Sequence, residues 1–167
     1  MVGAKRMKLK VLLVALSSAI ASVASAGPFD RAPDDFSSML NETYRKLGFA
    51  QRALPVNCKT TKRYRSCEFE LDGVLISING PMGQGPGTSK ILLVGESIRP
   101  SDPGFANIAA SVMATYAPGY RNNAMGAFKE LIASLQEDGH KGVLTADGAY
   151  FSLMQVGADV HFHAMPE

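Results

Sequence analysis

Cys58-Lys-Thr-Thr-Lys-Arg-Tyr-Arg-Ser-Cys67 runs directly into Glu68-Phe-Glu-Leu-Asp-Gly-Val-Leu-Ile-Ser-Ile-Asn-Gly80, and its reading decides how the front half of the chain folds. The stretch holds both cysteines, the densest positive charge and the clearest alternation of apolar and polar side chains. If Cys58 and Cys67 face each other across a hairpin, Thr60 pairs with Arg65, Thr61 with Tyr64, and Lys62-Arg63 is the turn. Counting outward from a two-residue loop, the cysteines form a non-hydrogen-bonded pair. Such a pair has Cα atoms roughly 4.5 Å apart, within disulfide reach. Neither Lys62 nor Arg63 readily takes positive φ, so a four-residue loop competes with the tight turn. Beyond Cys67 the pattern is regular. Cys67, Phe69 and Leu71 share one face, and Ser66, Glu68 and Glu70 share the other, as in a strand with one buried side. Asp72-Gly73 turns the chain into Val74, Ile76 and Ile78. The expectation is a three-stranded meander with a covalent clip at one end.

A disulfide persists in an oxidising compartment, and the N-terminus points there too. Lys5, Arg6, Lys8 and Lys10 form a positive start, Val11 to Ala21 an apolar run, and Ala24-Ser25-Ala26 a small-residue cleavage site before Gly27. The run is interrupted by Ser17 and Ser18 and falls short of the roughly 20 residues that span a bilayer. Residues 1–26 therefore read as a signal peptide, with export to the periplasm or the outside and no transmembrane segment in the mature chain. The leader also explains the basic appearance of the whole. The full chain has 17 Lys+Arg and 15 Asp+Glu; with the leader's four basic residues removed, 13 basic and 15 acidic side chains remain, a net of −2. A general nucleic-acid surface is not supported. The remaining 141 residues, 27–167, fit one domain.

Downstream and upstream of the hairpin the pattern alternates between helical and extended. Pro33 can open a helix with Asp34 and Asp35 in its first turn; Phe36, Met39, Leu40, Tyr44 and Leu47 recur at helical spacing, and Gly48 stops it. Residues 79–89 carry four glycines and two prolines and form a loop. Lys90 to Glu96 is a nearly continuous apolar strand. Asp102-Pro103 opens a helix along Phe105, Ile108, Val112, Met113 and Tyr116. After Pro118-Gly119, a second helix carries Phe128, Leu131, Ile132 and Leu135 and ends at Gly139. The tail is a further meander with turns at Asp147-Gly148 and Gly157-Ala158. The predicted fold is α+β: an antiparallel sheet built from two β-meanders, an N-terminal helix, a central αα-hairpin and one disulfide.

Three clusters carry chemistry. Arg52, Lys59, Lys62, Arg63 and Arg65, with Tyr64 among them, could clamp an anionic protein, lipid or glycan surface at the cell envelope. Charge at a hairpin tip also discourages edge-to-edge association, so the same residues fit a solvated tip. Asp159, His161 and His163 fall two apart on one strand face, where two imidazoles and a carboxylate could share zinc or copper; His140 could approach them. Glu68 and Glu70 are likewise two apart, a spacing that a wet sheet face explains equally well. Gly83-Gln-Gly-Pro-Gly-Thr-Ser-Lys90 is not a nucleotide phosphate loop, because Lys90 is separated from the last glycine and a strand follows. No nucleophile elbow occurs. The expected role is non-catalytic: an envelope binding or adaptor protein using the hairpin and the glycine-rich loop. A metal-binding protein or metalloenzyme at His161 and His163 is the first alternative, and a hydrolase whose residues converge only in space is the second.

Overall fold

The computed structural model describes residues 27–50, 54–81 and 87–167. The expected leader over 1–26, Arg52, and the 82–86 part of the glycine-rich loop lie outside the described residues. The described residues form seven strands and three α-helices. The strands are β1 (Leu54–Thr60), β2 (Tyr64–Leu71), β3 (Val74–Pro81), β4 (Lys90–Gly95), β5 (Lys141–Ala146), β6 (Ala149–Val156) and β7 (Asp159–Pro166). The helices are α1 (Phe36–Lys46), α2 (Pro103–Tyr116) and α3 (Ala124–Asp138). All strands join one antiparallel sheet in the order β1-β2-β3-β4-β7-β6-β5. The two meanders are therefore fused edge to edge, β4 pairing with β7 from Ile91↔Ala164 to Gly95↔Val160.

The turns follow the residues that favour them. Asp72-Gly73 and Asp147-Gly148 have positive φ at both positions (50° and 74°, 52° and 74°), the combination a two-residue primed turn needs. Lys62 and Arg63 do not, yet the hairpin still closes tightly. The Thr61 N–H donates to the Tyr64 carbonyl, and the Thr61 hydroxyl accepts from the N–H groups of Arg63 and Tyr64. A side-chain oxygen thus replaces the turn geometry that glycine would have supplied. Farther along, a bulge between Pro55 and Asn57 shifts the β1 register by one.

At the helix starts the structure refines the sequence expectation. Pro33–Asp35 is a 3-10 turn, and α1 proper begins at Phe36. Its end is a Schellman motif: Gly48 (φ 85°) donates to the Arg45 carbonyl and Phe49 to the Tyr44 carbonyl, while the Phe49 and Tyr44 rings meet at 4.6 Å. Asp102 and Asn123 occupy the N-cap positions of α2 and α3, but neither side chain bonds the helix.

Apart from Ser152, which is buried beside His163 on the other face, the buried strand residues point to the face that carries the helices. Cys67, Phe69, Leu71, Val74, Ile76, Ile78, Ile91, Leu93, Val160, Phe162 and Ala164 are nearly inaccessible and join the helices in one continuous cluster. Phe36 of α1 sits on Phe69 of β2, and Phe128 of α3 on Phe162 of β7. Between these two helices, α2 is buried on almost every side from Phe105 to Tyr116, as a helix apolar all round should be. The opposite sheet face has no helix against it among the described residues. That uncovered face explains why β4, apolar from Ile91 to Val94, buries Ile91 and Leu93 fully but Leu92 and Val94 only partly.

Candidate functional site

Cys58 and Cys67 are bonded and lie directly opposite each other, in the register that the count from Lys62-Arg63 predicts. Their Cα atoms are 4.0 Å apart. The clip ties β1 to β2 three residues below the tip. Above it the cations divide. The Arg65 side chain reaches across to the helical side, where its guanidinium makes a two-pronged ion pair with Asp34 and also donates to the Thr60 hydroxyl. Bonding to Arg65 holds the Asp34 carboxyl below its ordinary range. Lys59, Lys62 and Arg63 have no acidic partner among the described residues and are exposed. Tyr64 stands 48% exposed beside them. The tip is thus a short covalently braced ribbon carrying three unpaired cations and one aromatic ring.

The histidine strand has the predicted alternation. Val160, Phe162 and Ala164 are buried, while Asp159, His161 and His163 lie on the uncovered face. There the three have separate surroundings. The Asp159 carboxylate accepts from the Ser97 N–H at 3.0 Å and so secures a residue with φ 54°. His161 lies between Val94 and Met154, and His163 between Leu92 and Ser152. The Nε2 atom of His163 is buried without a hydrogen-bond partner among the described residues. Burial, aided by the charges of Lys90, His161 and Lys141, lowers its pKa to about 4, so its imidazole is neutral at pH 7. A metal site needs several donor atoms around one point. Among the described residues the one such group is Asp34 with Cys58 and Cys67, whose sulfurs are already joined to each other. Asp159, His161, His163 and His140 are not brought together in that way.

One feature has no signature in the sequence. A cleft of about 380 Å³ opens on the helical side, between the turn at Pro28–Asp30, α1 and the end of α2. Arg31, Lys46 and Arg121 line it, with Glu42 as the one acid. Arg31 and Arg121 are 90 positions apart in the chain, and only the packing of α1 on α2 unites them.

Comparison with protein families, curated proteins and solved structures finds no match for this chain. The functional reading therefore rests on the chemistry of these surfaces.

Proposed function

We propose that the protein is an exported, non-catalytic binding protein that engages an anionic surface at the cell envelope through the tip of the β1–β2 hairpin. The observation behind this reading is the division of the cations. Arg65 is neutralised by Asp34 and serves the fold, while Lys59, Lys62 and Arg63 remain unpaired on the same ribbon. A disulfide and a hydroxyl-capped turn hold that ribbon, so little conformational freedom is lost on contact. Tyr64 adds an amphipathic ring suited to an interface. The disulfide and the leader pattern of residues 1–26 both fit an oxidising compartment.

The test is co-sedimentation of the mature protein with vesicles of phosphatidylcholine, with and without phosphatidylglycerol. Binding should require the anionic lipid and weaken steeply as salt rises past the roughly 10 Å screening length reached at 0.1 M. Charge reversal at Lys62 and Arg63 (K62E/R63E) should reduce it at least tenfold, at an unchanged melting temperature. Equal binding by the reversed variant would defeat the proposal.

A further inference from the structure

A second hollow of about 220 Å³ adjoins the cleft beside α1, and the two share Leu47 and Asn122 as lining. Their linings differ in kind. The first has a cationic rim over an apolar floor of Met39, Leu47 and Ala114. The second is walled by Phe49, Ala110, Ala124 and Met125. Lys46 is engaged by Glu42 at 2.5 Å, and Glu42 also feels the field of Arg121. Arg31 and Arg121 make no ion pair among the described residues, so the rim keeps a positive excess. Thr43 and Asn122 add polar atoms near the rim, while the Thr115 hydroxyl is buried and donates to the Ser111 carbonyl. A pocket of this kind, apolar with a few convergent polar groups, is how small ligands are held.

We propose that this groove binds a single-chain anionic amphiphile. Its carboxylate or phosphate head lies between Arg31 and Arg121, and its tail passes over Leu47 into the hollow at Phe49 and Met125. A free anion would leave the second hollow unused, and a neutral alkyl chain would leave two arginines without a counter-charge. Guanidinium groups suit either head, since both offer oxygen pairs to the planar N–H fork. The site is separate from the hairpin tip and does not depend on it.

Calorimetry on the purified protein, below the micelle concentration of each probe, tests the assignment. Decanoate, decyl phosphate, decanol, acetate and inorganic phosphate are the probes. At least one of the two charged amphiphiles should bind, and the tighter one identifies the head as a fatty acid's or a phosphate ester's. Decanol, acetate and inorganic phosphate should bind at least tenfold more weakly. Lengthening the tail from octanoate to decanoate should tighten binding, by at most about fourfold per methylene. Arg31→Gln with Arg121→Gln should weaken the charged amphiphiles tenfold or more, and Met125→Glu should do the same from the tail end. Both arginines are exposed, so the fold should survive, as circular dichroism will check. Decanol binding as tightly as decanoate, an unaffected arginine double variant, or no binding by either charged amphiphile would each overturn the proposal.

Discussion

The two meanders solve the same problem by different means. Each ends in an edge strand whose outer backbone groups could pair with another chain, β1 on one side and β5 on the other. β5 is held by a helix. α3 packs on it so closely that a Cβ at Gly142 would lie 2.2 Å from the Leu131 carbonyl oxygen, and the Val143 N–H donates to the Ser134 hydroxyl. Among the described residues β1 has no comparable helix against it. Its outer end is instead bonded to β2 through sulfur, and Lys59 and the bulge near Pro55 make the edge a poor template. The difference teaches that the disulfide stands in for a missing layer of packing. A covalent brace leaves the strand's own side chains free, and the cations Lys59, Lys62 and Arg63 beside it are exposed.

Removing the brace should have the largest effect. Cys67→Ser, or reduction, reopens a loop of ten residues, worth about 2–3 kcal/mol in the chain-entropy treatment. The melting temperature should fall by roughly 5–10 °C. Hydrogen exchange should quicken in β1 and at the tip but not in β5. If β5 loosens equally, the two edges are not held independently.

The corresponding attack on the second edge is Gly142→Ala. The added methyl meets backbone of α3, which has to move away, and overpacking of this kind costs about 1–3 kcal/mol. Exchange should now quicken in β5 and along α3 while β1 keeps its protection. Unchanged stability would show that α3 does not bear on β5 in the way the 2.2 Å approach implies.

These edges also mark what could be read before the structure. The disulfide register, both Asp-Gly turns and the alternation in β2, β3 and β7 are local, and residues within ten positions of one another specify them. The β4–β7 pairing that fuses the meanders is not local: Leu93 and Phe162 become neighbours only after two helices have passed between them. Lys62-Arg63 is the turn the cysteine register implies, but what closes it without positive φ is not legible in the residue types. Thr61 acts through a hydroxyl acceptor, a role that residue type alone does not announce. Of the candidate site, the cluster from Lys59 to Arg65 was readable, but the capture of Arg65 by Asp34 spans 31 positions and depends on where the 3-10 turn sets down Asp34. The groove at Arg31 and Arg121 was out of reach for the same reason. No periodicity links a residue before α1 to one after α2.

The smallest effect separates the two meanders by pH. In the second, folding depresses the pKa of His163 from 6.5 to about 4. Between those values the unfolded chain binds a proton that the folded chain refuses, so stability is complete above pH 6.5 and falls as the pH drops toward 4. His163 is only half buried, so solvent screening holds the loss to on the order of 1 kcal/mol. At the first meander the titrating group is Asp34, whose carboxyl Arg65 holds below the ordinary 3.8. Its contribution is complete above that value and is lost as the pH falls further, when the folded carboxylate protonates and the ion pair dissolves. With side chains 35% and 43% exposed, that pair is screened by solvent and contributes the smaller share. Acid should therefore act on the β7 side first and on the hairpin second. Denaturant unfolding measured from pH 7 to pH 2.5 checks the order. His163→Gln should flatten the profile between 6.5 and 4 and leave the lower limb unchanged; Asp34→Asn should flatten the lower limb alone. If either variant flattened both limbs, the two titrations would be coupled through the sheet, and the two halves would no longer count as separately held.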